Sequence, residues 1–317
     1  MGIHVCYNLI ITKKKKKVKN LIKNKVIVIA GPTAVGKTAL SIEIARTYDG
    51  EIINGDSQQV YQDVHIGTAK ATKEEQEAIK HHLIDIRALS ETFSAHDFVT
   101  AANQAIADVL ARGKLPIIVG GTGLYLQSLI EGYHLGGQGN HEKMRALRQE
   151  LEVMTDEELY HQVSSHGIEI AQPNRRRAIR AIELVIFGGD AENTVSDYEF
   201  IIIGLNMDRN GLYARINQRV DKMMAEGLVT EAKMLYDTLP DAQVARAIGY
   251  KEFFPYFSGQ STLEDAIELV KRNSRRYSKR QITWFKNRMA VEFLDVFAAD
   301  FKAQTSQKIE RFLDDSN

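Results

Sequence analysis

The sequence has little cysteine and no long apolar run. Its one cysteine, Cys6, excludes an intrachain disulfide and a zinc site built from CxxC pairs, and it suits a reducing compartment. A bilayer-spanning helix needs about 18 or more apolar residues in a row, and no such run is present. The first lysines follow the short apolar start, which is the reverse of a secretory signal. We therefore expect a cytoplasmic globular protein.

The sequence also lacks a net charge, with 41 basic and 41 acidic residues. Residues 1–25 contain eight lysines and no acid, which leaves 33 basic against 41 acidic residues in the remainder. Any contact with a polyanion must therefore come from local basic patches. The run Lys13–Lys17 is either an RNA-attracting arm or part of a solvated extension, and we expect residues 1–24 to be a disordered, lysine-rich extension.

Short apolar runs alternate with helical patterns through much of the chain. A β-branched run at 25–30 is followed by runs at 51–54, 83–86, 116–119 and 200–205. Strands that alternate with helices indicate a parallel sheet covered on both faces. The strand signal disappears between 134 and 198, after which residues 212–226, 227–236 and 263–288 show helical patterns. We predict a core of residues 25–133 and 199–300, a helical insertion at 134–198 and a C-terminal tail at 301–317.

A phosphate-binding motif, G-x-x-x-x-G-K-[ST], lies between the first predicted strand and a predicted helix. It consists of Gly31, Pro32, Thr33, Ala34, Val35, Gly36, Lys37 and Thr38. Backbone N–H groups and the helix N-terminus attract phosphate oxygens, Lys37 adds a positive charge, and the Thr38 hydroxyl can be a ligand of Mg²⁺. The motif predicts a diphosphate- or nucleotide-binding site and an α/β fold of the P-loop NTPase type.

Asp56 follows the second predicted strand, in the segment Asp56-Ser57-Gln58-Gln59. A carboxylate at the carboxyl end of a strand beside a phosphate loop can act on substrate or on metal-bound water. An Asp-Ser pair is equally typical of a helix N-cap. The residues alone leave both interpretations open.

A set of ordered motifs resembles the tRNA dimethylallyltransferase family over residues 25 to about 290. The motifs are GPTAVGKT at 31–38, DSQQVY at 56–61, IGTAK at 66–70, HHLIDI at 81–86, GGTGLY at 120–125, ARAIGYKE at 245–252 and KRQITWF at 279–285. No Cys/His zinc finger follows, so the resemblance is to the bacterial type. The resemblance implies Mg²⁺-dependent transfer of a dimethylallyl group from its diphosphate to N6 of the adenosine 3′ of the anticodon.

The resemblance also implies residue roles. Asp56 would be the general base, and Thr122 would lie near the oxygen that joins the diphosphate to the prenyl carbon. Arg219 is the candidate for the family's arginine that reaches the diphosphate, although it could instead bridge to Asp221 or Glu226 at the surface. An adenosine in a folded loop is reached by extrusion from its stack, so we expect residues 56–59 to hold a flipped base.

Two basic segments predict a tRNA-binding surface. Residues 271–288 contain eight basic residues and no acid, and Arg272, Arg276 and Arg280 recur at every fourth position on one helical face. In 174–183, Arg177 and Arg180 best match the family's RNA-binding arginines. Together with residues 56–59, the predicted tRNA contacts are Arg177, Arg180, Arg246, Gly249, Tyr250, Lys251, Arg276, Lys279, Arg280 and Gln281. Trp284 is more typical of a core anchor.

Three other functions compete with a monomeric tRNA prenyltransferase. An adenylate isopentenyltransferase would modify free nucleotides, but a small acceptor needs neither the insertion nor the basic helix. A small-molecule P-loop kinase would leave the DSQQVY and GGTGLY segments unexplained. A non-catalytic RNA-binding module would have no use for Lys37 and Thr38.

Overall fold

The structure is a computed structural model that describes residues 24–133, 141–170, 173–187 and 196–314. The lysine run at 13–17 lies outside these residues, as do 134–140, which belong to the predicted insertion. In the described part of the chain, no helix is both long and apolar enough to cross a membrane. The chain divides into two compact units, Met1–Ile130 with Ser196–Asn317, and Glu131–Val195.

The first unit contains a six-stranded sheet in the order β3-β2-β4-β1-β5-β6, in which neighbouring strands are parallel. The strands are β1 Lys25–Ala30, β2 Gly50–Asn54, β3 His81–His82, β4 Leu115–Gly120, β5 Glu199–Asn206 and β6 Phe293–Asp295. Parallel strands all end at one edge of the sheet, so the segments that follow them converge there. The predicted α/β fold is confirmed.

Strand β1 is buried along its whole length and divides the core into two. Val26, Val28 and Ala30 point to one face, which is covered by helices after β3 and β4, and Ile27 and Ile29 point to the other. Successive side chains of a strand alternate between faces, so a β-branched run without polar positions requires cover on both. The two helical layers provide that cover.

The apolar run at 83–86, which we predicted to be a strand, does not pair as one. The two-residue strand β3 ends at His82, just before the run, and Leu83 and Asp85 have positive φ angles of 62° and 57°. The Leu83 carbonyl instead accepts a hydrogen bond from the Asn54 side chain at 2.9 Å. A local apolar pattern cannot distinguish a strand from a loop whose side chains are buried by other elements.

Helices of the first unit flank the sheet. They are α1 Lys37–Tyr48, α2 Lys73–Ala78, α3 Ala95–Ala111, α4 Gly123–Ile130, α8 Arg209–Ala225, α9 Leu228–Thr238, α10 Phe254–Phe257, α11 Leu263–Arg288 and α12 Phe301–Asp314. Capping boxes start α2, α3 and α11, in agreement with Ser or Thr followed by an acid three residues later. Most of the predicted tail at 301–317 forms α12, whose Ile309 and Leu313 are buried.

The second unit is helical in its described residues. It contains α5 His141–Val153, α6 Asp156–Ser165 and α7 Arg175–Phe187. Leu151, Leu159 and Ile182 are fully buried in a separate small core. The Arg148 guanidinium pairs with the buried Glu183 carboxylate at 2.6 Å.

A buried carboxylate, Glu51, lies at the amino end of β2, at the edge of the sheet opposite to the ends of the strands. It is 3% exposed and contacts Arg112 at 2.7 Å and His82 at 2.6 Å, with Lys114 at 3.7 Å. Burial by itself raises the pKa of Glu51, but the hydrogen bonds from Arg112 and His82 outweigh it and lower the pKa from 4.5 to about 2. The ionised carboxylate therefore stabilises the fold.

We expect this stabilisation to be complete above pH 4.5 and to be lost as the pH falls towards 2, because the folded-state pKa lies below the unfolded one. The shift corresponds to about 3 kcal/mol, of which about 2 kcal/mol is lost by pH 3. Between pH 7 and pH 3, the free energy of unfolding measured in urea should therefore fall less for Glu51→Gln than for the unchanged protein. Equal losses would contradict this role of Glu51.

Candidate functional site

The phosphate-binding loop joins β1 to α1 at the edge where the strands end. Gly36, at the N-cap of α1, has a φ of 108°, and Ala34 has a φ of 65°, so the loop backbone turns twice through the left-handed region. Gly36 adopts such an angle without strain, whereas Ala34 does so at a cost that the surrounding structure must offset. The conformation aims the loop at a cavity of about 650 Å³ that it lines.

Lys37 lies inside the loop. Its ammonium group donates hydrogen bonds to the carbonyls of Gly31 and Pro32, at 2.9 and 2.8 Å. Burial of the ammonium, helped by the nearby Arg219 guanidinium and opposed by the Asp56 carboxylate, lowers the pKa of Lys37 from 10.5 to about 8. A bound anion would stabilise the charged form that burial disfavours.

Arg219, on α8, reaches the same cavity. Its guanidinium donates to the Thr33 hydroxyl at 3.4 Å. Burial lowers the pKa of Arg219, and the Asp56 carboxylate acts in the opposite direction. The surface carboxylates that were the alternative partners pair elsewhere, Asp221 with Lys271 and Glu226 with Lys222.

Asp56 lies directly after β2, and its backbone is held by neighbours. The Asn54 amide oxygen accepts its N–H at 3.0 Å, and one carboxylate oxygen of Asp56 accepts the Gln58 N–H at 2.8 Å. No helix follows within the segment, so the carboxylate caps a turn and lines the cavity. The Ser57 N–H donates to the Thr122 hydroxyl at 3.1 Å, which joins the segments that follow β2 and β4.

Gln281 and Tyr277, on α11, line the first cavity together with Asp56. The Gln281 side chain accepts from the Thr33 N–H and donates to the Gly121 carbonyl, both at 2.9 Å. The Tyr277 hydroxyl is in hydrogen-bonding contact with Thr122 and Gln281, and burial raises its pKa well above the usual range. We did not predict Tyr277 as a site residue, although its place between basic residues on an amphipathic helix was a usable signal.

A second cavity, of about 300 Å³, adjoins the first. The residues that line both are Thr33, Asp56, Thr68, Ala69, Arg219 and Tyr277. The first cavity is bordered by the phosphate loop, and the second by Ser57, Gln58 and residues 246–249. The predicted base and the predicted diphosphate-binding arginine therefore lie where the two cavities meet.

The predicted tRNA-binding residues of the first unit outside 56–59 fall into two groups. Arg246, Lys251, Arg276, Lys279 and Arg280 are exposed, and the Arg280 guanidinium lies 5.6 Å from the centre of the Tyr277 ring. Gly249, Tyr250 and Gln281 are buried; Gly249 lines the second cavity and Gln281 the first, and the contact of these three residues with tRNA stays a prediction. The spacing of basic residues identified the exposed face of α11 but could not show which motif residues point inward.

The predicted arginines of the second unit lie on α7. Arg177 is exposed, and Arg180 is partly buried with its guanidinium 3.1 Å from Glu183. Arg175 is not one of the predicted contacts and has a structural role, since it donates to the carbonyls of Glu152 and Met154 at the end of α5. Trp284, which we expected to be a core anchor, packs against Gly123.

The comparisons with known proteins agree on one family. A family model described as IPP transferase matches residues 59–288. A protein of Lactococcus lactis subsp. lactis named tRNA dimethylallyltransferase is 62% identical over 290 residues, which is 92% of this chain and 99% of that protein. A protein of the same name from Streptococcus thermophilus is 58% identical over 293 residues, covering 92% and 98%.

Two solved structures are similar along most of their length. The full-length tRNA isopentenylpyrophosphate transferase of Bacillus halodurans is 42% identical with a TM-score of 0.71, and the match covers 92% of this chain and 97% of that one. A eukaryotic dimethylallyltransferase acting on tRNA is 31% identical with a TM-score of 0.76, and the match covers 90% and 77%.

The pKa of Lys37 predicts how anion binding depends on pH. Because the ammonium loses its charge near pH 8 in the free protein, we expect pyrophosphate affinity to weaken above that pH, by up to about tenfold per pH unit. Calorimetric titrations at pH 7, 8 and 9 measure this. Lys37→Arg is the control, because a guanidinium stays charged over this range and any change in the affinity of the variant comes from the ionisation of pyrophosphate itself. If the affinities of the variant and of the unchanged protein depend on pH in the same way, the prediction is wrong.

Proposed function

The chain belongs to the IPP transferase family, and we propose that it transfers a dimethylallyl group from dimethylallyl diphosphate to N6 of the adenosine 3′ of the anticodon in tRNA, with release of diphosphate. The observation that carries the proposal is the pair of adjoining cavities, which have Asp56, Arg219 and Tyr277 at their junction, while residues 34–38 of the phosphate-binding loop line only the first cavity. Two substrates that react with each other need such a junction.

The diphosphate binds in the first cavity. Backbone N–H groups of the loop, the Lys37 ammonium and the Arg219 guanidinium stabilise its charge, which grows as the bond to the prenyl carbon breaks. Thr38 is exposed, lies in the first turn of α1 and lines this cavity, so its hydroxyl fits the role of a Mg²⁺ ligand beside the diphosphate oxygens. When bound, Mg²⁺ would neutralise charge on the diphosphate.

The acceptor adenine enters from the second cavity and presents its exocyclic amine to the prenyl carbon. A new C–N bond forms as the C–O bond breaks, and diphosphate leaves with the electron pair. Asp56 accepts the amine proton, which suits a carboxylate at the junction of the cavities. The Thr122 hydroxyl, which accepts the Ser57 N–H and contacts the Tyr277 hydroxyl, would donate a hydrogen bond to the oxygen that leaves.

The tRNA backbone binds the exposed basic residues. Arg246 and Arg280 are exposed and line the second cavity, and Arg276 and Lys279 on α11 and Lys251 add further exposed cations. On the second unit, Arg177 and Arg180 would contact the anticodon stem. We further propose that the enzyme acts in the cytoplasm and as a monomer.

The proposal is tested by incubating the protein with Mg²⁺, dimethylallyl diphosphate and unmodified tRNA, or with AMP or ATP as acceptor. We expect mass spectrometry to find prenylated adenosine from tRNA alone. Prenyl-AMP or prenyl-ATP would indicate an adenylate isopentenyltransferase, and ATP hydrolysis without transfer would indicate a kinase.

Asp56→Asn should lower turnover by about a hundredfold or more while tRNA affinity stays within a few-fold. A fully active variant would exclude Asp56 as the base.

The basic face of α11 predicts a salt-dependent contribution to tRNA binding. Arg276→Ala should weaken binding and reduce the slope of log K against log salt by about one. Lys302→Ala is a matched control, since it removes one exposed positive charge that is paired with Glu43 on α1. Filter binding at several salt concentrations measures both. An unchanged slope in Arg276→Ala would contradict this placement of the RNA backbone.

A further inference from the structure

The Glu231 carboxylate, in the first turn of α9, accepts four hydrogen bonds from distant parts of the chain. Its two oxygens accept the backbone N–H groups of His65, Ile66 and Gly67, at 2.6, 3.0 and 2.9 Å. The Tyr250 hydroxyl donates the fourth, at 2.7 Å. Three consecutive N–H groups directed at one carboxylate fix the backbone of that loop, and bonds to an ionised acceptor are stronger than those to a neutral one.

Tyr250 also contacts this loop directly. Its side chain is fully buried, and its ring packs on Gly67 so closely that a Cβ there would lie 2.6 Å from ring atoms. Only glycine leaves room for this contact. Glu231 and Tyr250 therefore hold Gly67 and the loop around it in place. We call the loop 65–69 the clamped loop.

The clamped loop continues into the wall of both cavities. Thr68 and Ala69 line the first and the second cavity, and Gly67 lines the second. The Gln59 amide donates to the carbonyls of Thr68 and Ala69, at 3.3 and 3.2 Å. Ala69 has a φ of 50°, a conformation that a non-glycine residue keeps only where its surroundings hold it.

We propose that Glu231 is a positioning residue, which sets the place of the loop 65–69 and thereby the shape of the acceptor side of the site. This inference rests on the proposed function, in which the second cavity receives the adenosine. Glu231 itself lines neither cavity, so its effect passes through the loop. The diphosphate side depends on the loop less, because its cations and N–H groups come from residues 31–38 and Arg219.

Glu231→Gln tests the role with little change in size. An amide offers one acceptor oxygen, and its NH₂ group would face an N–H donor, so the loop loses part of its support. We expect the KM for tRNA to rise about tenfold, a change of the size that small displacements at a site produce. The KM for dimethylallyl diphosphate should stay within about threefold, and the Tm should change by only a few degrees. Hydrogen exchange of the amides at 65–67 should become faster.

Tyr250→Phe removes one of the four donors and keeps the ring on Gly67, so its effect on the KM for tRNA should be in the same direction and about two- to threefold. If Glu231→Gln does not fold, this variant carries the test. Glu43→Gln is the control, since Glu43 is an exposed carboxylate paired with Lys302; both KM values should stay unchanged.

Two results would overturn the inference. One is an unchanged KM for tRNA with unchanged amide protection at 65–67. The other is an equal rise in both KM values together with a large fall in Tm, which would make Glu231 a general stabilising residue. If the unchanged protein transfers no prenyl group to tRNA, the proposed function fails, while the exchange of the amides at 65–67 still decides whether Glu231 holds the loop.

Discussion

A buried side-chain amide joins the segments that form the site. Gln281 is 4% exposed, accepts from the Thr33 N–H of the phosphate-binding loop and donates to the Gly121 carbonyl after β4. A buried amide is stable only when its donors and acceptors are satisfied, so these bonds fix α11 against both loops. The exposed face of the same helix carries Arg276 and Lys279. One helix therefore borders the first cavity with one face and presents cations to solvent with the other.

The electrostatics of the site follow from the burial of its cations. Lys37 and Arg219 line the same cavity, where burial lowers the pKa of both cations and the Asp56 carboxylate opposes that effect. Cations held where their charge is disfavoured bind an anion strongly, because the anion replaces the solvation that burial removed. The chain as a whole has no net charge, so attraction to polyanions depends on where the cations are placed rather than on their number.

Sequence patterns predicted the parts of the fold that depend on neighbouring residues. The strand at Lys25–Ala30, the phosphate loop and the helix at Leu263–Arg288 were predicted with the limits that the structure has. The run at 83–86 was wrong as a strand, because it forms a loop that Asn54 holds and its apolar side chains Leu83 and Ile86 pack partly buried against the core. Tyr250 and Gln281 belong to recognisable motifs, yet their side chains point inward, which a motif does not reveal.

The sequence by itself determined the chemistry of the phosphate loop, since consecutive residues supply its N–H groups, its lysine and its turns. It also determined the family, through motifs that keep their order along the chain. Only the tertiary structure decided how these motifs meet. Gln281 lies 248 residues from Thr33, and Glu231 lies 164 residues from Gly67. Hydrogen bonds over such separations depend on how the helices pack on the sheet, and no local pattern of residues encodes that packing.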